Sequence, residues 1–472
     1  MEKKAFIRFG GYLPAGVLAA LVIGWTPGSA SAQEYGGSSA GGYGSEKEPS
    51  AEGTQPTLES FSQALVGGKI KLDMRYRFEN VDQDGFDQDA YAHVLRTRLG
   101  YLTGHWAGFQ VYGEFENLAH LFGDKFNDTV NGDGRRPVVA DPDGTEVNQA
   151  YLDYYDGLIP DTKIRGGRFR WKVDNDRFIG NVGFRQNEQT FDGFWVKNST
   201  IPTTEVTYGY LANANRITGD DSVVGDFHMD SHVGHLKYTR FPFANFSLYN
   251  YYLKFSQDGA VKANSTNSTG LRVWGSHPIE AVDNLTLTYA AEFAHQVDIS
   301  NNPFDIDENY WHINPGLKWG GLTAKFGYEV LGGNDTVGFR TPLATFHAFN
   351  GETDQFLVVT PPGGLQDIYG KVSYEFQHDS FLDDITVWGM YHDFEEEEGS
   401  TDLGEEFSFA ISKRFNDVIP RLGGKAWVEF RFATFDSGKN DPQNRRDVDK
   451  LWVTLRYNYY FLGFTHRPDL AV

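Results

Sequence analysis

The chain has 472 residues, 53 glycines, no cysteine, an aromatic fraction of 15% and a formal charge of -22. The missing cysteines exclude disulfides, metal–thiolate sites and a cysteine nucleophile. Outside the first thirty residues no apolar run reaches the length of a membrane helix, but barrel strands carry only a half-apolar pattern and escape that test.

Residues 1–32 read as an export signal. Lys3, Lys4 and Arg8 precede an apolar stretch from Leu13 to Trp25, and Ala30-Ser31-Ala32 supplies a small-residue cleavage pattern. Residues 33–60, rich in Gly, Ser, Glu and Pro, read as a flexible periplasmic leader, with a short helical turn expected within 57–66. Residues 61–472 are expected to form one membrane barrel.

The first strand, 69–79, defines the repeating pattern. Ile70, Leu72, Met74, Tyr76 and Phe78 fall on one face, and Lys71, Asp73, Arg75, Arg77 and Glu79 on the other, because strand side chains alternate. The same alternation predicts strands at 92–103, 108–119, 146–155, 162–171, 189–198, 203–214, 229–240 and 245–255. The second half adds 267–276, 284–296, 307–318, 321–331, 367–376, 383–393, 403–414, 423–434 and 449–461.

Short connections follow even-numbered strands (104–107, 156–160, 199–202, 241–244, 319–320), and long ones follow odd-numbered strands, among them 120–145, 172–188 and 332–366. That asymmetry, together with aromatic residues at the strand ends, predicts an all-β fold. The expected form is a transmembrane antiparallel up-and-down β-barrel of about 18 strands, with short periplasmic turns and long extracellular loops. Residues 462–472, after the last strand, are expected to fold back as a short tail.

On the predicted inner face lie Arg75, Arg77, Arg96, Arg98, Arg272, Lys325, Lys371, Arg431 and Arg456. Asp73, Glu114, Glu116, Asp153, Glu205, Glu292, Glu329, Glu375 and Glu429 share that face. Wall side chains cannot fill a barrel of this size, so a channel or a plugged lumen remains, and charges there need water or partners. The signs are nearly balanced, so the strands alone do not make the lumen anion-selective. Around Gly166-Gly167 the parity of Lys163, Arg165, Arg168 and Arg170 changes, which predicts a bulge or a close approach in the wall.

No Gly-x-Ser-x-Gly elbow and no His-Glu-x-x-His pair is present, so no enzyme is expected. His228, His232 and His235 read as a polar cluster at the rim rather than a ligand set, and Glu395 to Glu398 as a solvated acidic tip. No metal, cofactor or nucleic-acid partner is expected. The expected partners are outer-membrane lipid and lipopolysaccharide, a saccharide solute and periplasmic export proteins. The competing reading is a non-conducting adhesion or scaffold protein that binds partners through its long loops.

Several stretches resemble the outer-membrane alginate export family: 95–101 (LRTRLGY), 146–152 (EVNQAYL), 174–180 (DNDRFIG), 184–192 (FRQNEQTFD), and the late loop from Thr341 through Phe349-Asn350-Gly351 to Asp367. The resemblance spans roughly 69–461. It implies a monomeric eighteen-stranded porin with a narrow, arginine-rich constriction that conducts a polyuronate. Arg96, Arg98, Arg185 and Asp192 carry over as pore positions, beside Arg75, Glu114, Glu116, Arg272, Lys325, Arg431 and Arg456 from the strand pattern. Arg177, Gln186 and Asn187, in the 172–188 connection, are assigned to a loop constriction together with Asp354. Where the family usually carries Trp and Lys, this chain has Glu352-Thr353-Asp354-Gln355.

Overall fold

The computed structural model describes Leu58 and residues 60–462, apart from 156, 158, 358–359, 378–380, 400, 420–422 and 440. The expected export signal, most of the leader and the tail lie outside the described residues. A short helix, α1 (Phe61–Val66), is capped by Ser60 and Gln63 and precedes the sheet. The strands are β1 (Lys69–Gln83), β2 (Ala90–Leu102), β3 (Phe109–His120), β4 (Gly144–Tyr155), β5 (Thr162–Phe169), β6 (Thr190–Asn198) and β7 (Thr204–Asn215). They continue as β8 (Asp226–Tyr238), β9 (Asn245–Leu253), β10 (Thr266–Pro278), β11 (Leu285–Asp298), β12 (Asp307–Ile313) and β13 (Gly316–Trp319). The last are β14 (Leu322–Leu331), β15 (Leu365–Glu375), β16 (Ile385–Glu395), β17 (Asp402–Ile419), β18 (Gly423–Ser437) and β19 (Val448–Leu462).

Sequential strands pair antiparallel, and β1 pairs with β19 from Lys69↔Leu462 to Gln83↔Val448, which closes the sheet into a barrel. β12 and β13 both pair with β11 and β14, so they are two halves of one stave, and the barrel has eighteen staves. The break falls at Asn314-Pro315, where proline offers no N–H to the ladder. The ladder survives because Asn314 exchanges both backbone bonds with Ala290, and the Phe326 N–H donates to the Pro315 carbonyl at 2.9 Å. Closure leaves no unpaired sheet edge, as a lipid environment requires.

Alternation sorts the faces as the sequence pattern requires. In β1, Lys71, Asp73, Arg75, Arg77 and Glu79 are buried on the inner face. The outer wall exposes Leu99, Phe115, Leu248, Phe326 and Val372, and Trp106, Phe109, Phe241, Phe243 and Trp319 ring the short-turn rim. The three histidines of β8 do not share a face: His228 and His232 point outward, and only His235 is buried inside, 3.6 Å from Asp174.

The Gly166-Gly167 pair is a close approach and not a bulge, since β5 keeps register with both neighbours. Gly167 has φ +127, and a Cβ there would meet the Ala150 carbonyl oxygen. Arg165 and Phe169 point inward on the same face as Gly167, which leaves Arg168 pointing outward.

The hydrophobic core lies within the barrel. Trp171, Val173, Phe178 and Ile179, from the connection between β5 and β6, cluster with Tyr249, Tyr251 and Tyr310 of the wall and with Phe339 and Leu343 of the connection between β14 and β15. The Phe178 ring lies 5.6 Å from that of Tyr310 and 6.0 Å from that of Phe339.

Gly167→Val combines a forbidden backbone conformation with a backbone clash. It is expected to destabilise the barrel by more than about 2 kcal/mol. Heat-modifiable electrophoretic migration should show a lowered unfolding temperature, with Gly166→Ala, whose Cβ position has room, nearly unchanged.

Candidate functional site

Two long connections turn into the lumen, 170–189 and 332–364. The first forms a small hairpin in which the Val173 N–H donates to the Ile179 carbonyl at 3.0 Å. Asp174 and Asp176 hold the left-handed conformations of its turn, as short polar residues tolerate. The two loops then pair with each other. Ile179 bridges Leu343 in parallel, Gly180 N–H donates to the Leu343 carbonyl at 2.8 Å, and Thr345 N–H donates to the Asp176 carbonyl at 3.0 Å.

The inner wall grips this assembly through its arginines. Arg75 donates from Nε to Gln186 Oε1 at 2.7 Å and to the Gly183 carbonyl at 2.9 Å, and it also bonds the Arg185 carbonyl. Arg77 donates to the Phe184 carbonyl at 2.7 Å, with its guanidinium 4.1 Å above the Phe184 ring. Gln186 returns a bond from Nε2 to the Val94 carbonyl at 2.9 Å, and its own N–H reaches Asp141 at 2.7 Å. Arg185 spans three carboxylates: Glu79 at 3.0 Å, Asp354 at 3.1 Å and Asp141 at 3.8 Å. Glu188 accepts from Arg170, Asn148 and Asn181 and pairs with Arg98 at 3.2 Å.

The second loop is held in the same way. Asn350 accepts from Arg177 at 3.0 Å and donates to Glu329 at 2.6 Å and Asp367 at 3.1 Å, while Arg177 donates to Glu329 at 2.8 Å. Glu406 accepts the N–H groups of Glu352 and Thr353 at 2.6 and 2.9 Å. His347 sits between Glu352 at 2.8 Å and Asp354 at 2.6 Å, and Arg431 also pairs with Glu352. Burial alone would lower the His347 pKa, but the two carboxylates outweigh it and hold it above its usual value. Burial opposes ionisation of Glu352, yet Arg431 and His347 pull its pKa from 4.5 down to about 2. Asp354 is likewise held well below the ordinary carboxylate range, against burial, by His347, Lys450 and Arg185.

Most positions singled out from the sequence therefore meet at one interface between wall and loops. Arg75, Arg96, Arg98, Glu114, Glu116, Arg272 and Arg431 are buried on the inner face, and Arg177, Arg185, Gln186 and Asn187 are buried in the first loop. Arg96 pairs with Asp73, which also accepts from Arg456 at 3.0 Å; Glu116 pairs with Arg98, and Glu114 accepts from Lys71 at 3.1 Å. Arg272 donates to Asp174 at 2.6 Å, across to the first loop. Lys325 stands apart from this interface, on the inner face of β14 opposite Lys371.

Asp192 is a correction. It shares the outer face with Phe194, between inward Phe191 and Trp195, and forms a two-point pair with outward Arg168 at 2.8 and 3.0 Å. Asp192 is the register partner of outward Arg168, so it does not line the lumen.

Sequence reasoning missed Glu79 and Asp141 as partners of Arg185, and Glu188, His347, Glu352 and Asp367. Glu79 and Asp367 were findable from strand alternation, whereas loop residues carry no periodic signal. Among the described residues one group has metal-ligand spacing, His120, Asp128 and Asp143, with ligand atoms within 4.8 Å of one another. The His120 ring nitrogens are already bonded to Asp124 and to the Asp141 carbonyl.

A family model described as Alginate export matches residues 68–330. No curated protein sequence matches the chain. Among solved structures, Pseudomonas aeruginosa OpdK with vanillate is similar at a TM-score of 0.64 and 13% identity, over 84% of this chain and 100% of that one. Acinetobacter baumannii OccAB4 follows at 0.63 and 14%, over 84% and 99%. Pseudomonas aeruginosa OccD3 (OpdP) is similar at 0.62 and 14%, over 84% and 93%. At these identities the likeness shows the fold.

The His347 cluster sets a pH dependence for the second loop. Protonated His347 stabilises docking fully below its ordinary 6.5, and that contribution is lost as pH rises through its raised pKa. The Glu352 contribution is present above 4.5 and lost as pH falls toward about 2. Protection of the 344–356 amides, exchange normalised to the intrinsic rate at each pH, should therefore be greater at about pH 6 than at about pH 9, and His347→Gln should flatten that difference.

Proposed function

Because the chain belongs to the alginate export family, we propose that this outer-membrane barrel is a passive channel for a polar, anionic saccharide, a polyuronate or its fragments. It works without enzymatic chemistry, as a monomer exported through a cleaved signal, in a Gram-negative outer membrane with lipopolysaccharide around it. Periplasmic export proteins would deliver the cargo.

The observation that carries the reading is the lumen itself. The inner wall is charged along β1, β2, β15 and β18, and two polar loops anchored to it narrow the passage. Interleaved guanidinium and carboxylate groups suit a hydroxyl-rich, carboxylate-bearing solute, because arginine forks bind carboxylates at two points while acidic neighbours prevent permanent capture. A similar barrel, OpdK, was solved with vanillate, a carboxylate.

The burial of both loops favours a second reading, a non-conducting scaffold. Planar-bilayer recording separates the two. A channel gives current that uronate oligomers reduce, and replacement of 344–355 by a short Gly-Ser link raises conductance several-fold. Silence from both the intact and the loop-trimmed barrel would establish the scaffold.

A further inference from the structure

Most inward cations discussed so far have an acidic partner, and Arg75 and Arg77 instead have carbonyl oxygens of the first loop. Lys71 meets Glu114, Arg96 and Arg456 meet Asp73, Arg165 meets Asp153, Arg272 meets Asp174, and Arg431 meets Glu352 and Glu429. Lys325 and Lys371 break this pattern. They are register partners on β14 and β15, directly opposite each other. Both point inward, since Phe326 and Val372, the next residue on each strand, are exposed on the outer wall. Neither has a hydrogen bond or an ion pair among the described residues, and the Lys371 ammonium is shielded from solvent without a partner.

Like charges opposed across a strand pair repel, and an ammonium withdrawn from water demands compensation. Part of it comes from Trp388, whose ring lies 4.4 Å from Lys371 Nζ. Around the pair, the unpartnered polar groups include donors: the Trp388 indole N–H and the Thr288 hydroxyl. Thr288 sits beside Gly316, the register neighbour of Lys325 on the other side. Of the nearby acids, Glu352 is engaged by Arg431 and His347, while Glu429 pairs with Arg431 through Oε1 and leaves Oε2 without a hydrogen-bond partner.

We infer that Lys325 and Lys371 form a luminal docking point for a carboxylate of a sugar acid, with Trp388 buried behind Lys371. A single carboxylate has two oxygens and can be shared between two ammonium groups. Each lysine is a point charge with three rotatable donors, so the pair accepts the ligand in several orientations, which suits a stepping stone better than a bidentate trap. This deepens the channel reading and rests on it for physiological meaning, but binding is measurable without conduction.

The test is calorimetric titration of the folded, detergent-purified full-length barrel with D-glucuronate, using D-glucose and chloride as controls. Wild type should bind glucuronate. Lys325→Gln and Lys371→Gln should each weaken binding by about tenfold or more, the range for losing a hydrogen bond to a charged group, and the double variant should abolish it. Heat-modifiable migration verifies folding, and should the double variant fail to fold, the two single variants carry the comparison. Absence of binding to wild type, equal binding by the variants, or displacement of glucuronate by equimolar chloride would each overturn the site. Bilayer current plays no part in this readout, so a silent channel and an absent site remain distinguishable.

Discussion

The need to partner charge on the inside of a closed, lipid-embedded sheet governs this molecule. Alternation forces one face of each strand inward, and in β1 that face carries Lys71, Asp73, Arg75, Arg77 and Glu79. Once the neighbouring strands close around them, these groups lie far from bulk water, where an unpaired charge is prohibitively costly. Strand neighbours answer part of the demand, as when Asp73 accepts from both Arg96 and Arg456. The remainder falls to backbone carbonyls of the first inward loop, at Gly183, Phe184 and Arg185. The loop thus acquires its shape from the wall, and the wall acquires its partners from the loop.

The two sides of the lumen use different physics for the same task. Toward β9 to β12 the loops dock largely by aromatic packing of Phe178 and Phe339 on Tyr249, Tyr251 and Tyr310, with the Tyr249 and Tyr310 hydroxyls bonded to Glu292 and Glu329 and Arg272 paired with Asp174. Toward β1, β2 and β18 they dock by guanidinium bonds and ion pairs. The aromatic side gains from excluding water, whereas the charged side requires complete pairing, since removing one member of a buried pair leaves the other stranded.

Much of this fold is legible in the sequence because strand alternation is a period-two signal that survives without homologues. The eighteen predicted strands correspond to the eighteen staves, including 307–318, read as one strand although Pro315 splits it. Inner-face charges such as Arg75, Glu116 and Arg431 follow from the same alternation. The loops resist this reading, because an irregular segment has no period and its partners are chosen by three-dimensional proximity. His347 has no distinguishing sequence context, Glu352 stands out only as a departure from the family, and two of the ligands of Arg75 are backbone carbonyl groups, which every residue possesses. Asp192 escapes such a reading because a family motif gives residue type without facing, and its facing follows from its register with Arg168.

The clustering of loop contacts around Phe184 bears on how the barrel stays shut. β1 and β19 are the two ends of the sheet, and their joint is the only one that no chain connection spans. Phe184 packs edge-on against Trp452 of β19 while Arg77 of β1 lies over its ring, Arg185 reaches Glu79 of β1, and Lys450 of β19 meets Asp354. The inward loops therefore form an internal clasp across the seam where first and last strands meet. Lateral opening at that seam would have to unfasten the clasp as well as the hydrogen-bond ladder, so the same segments that narrow the passage also guard the wall against unzipping.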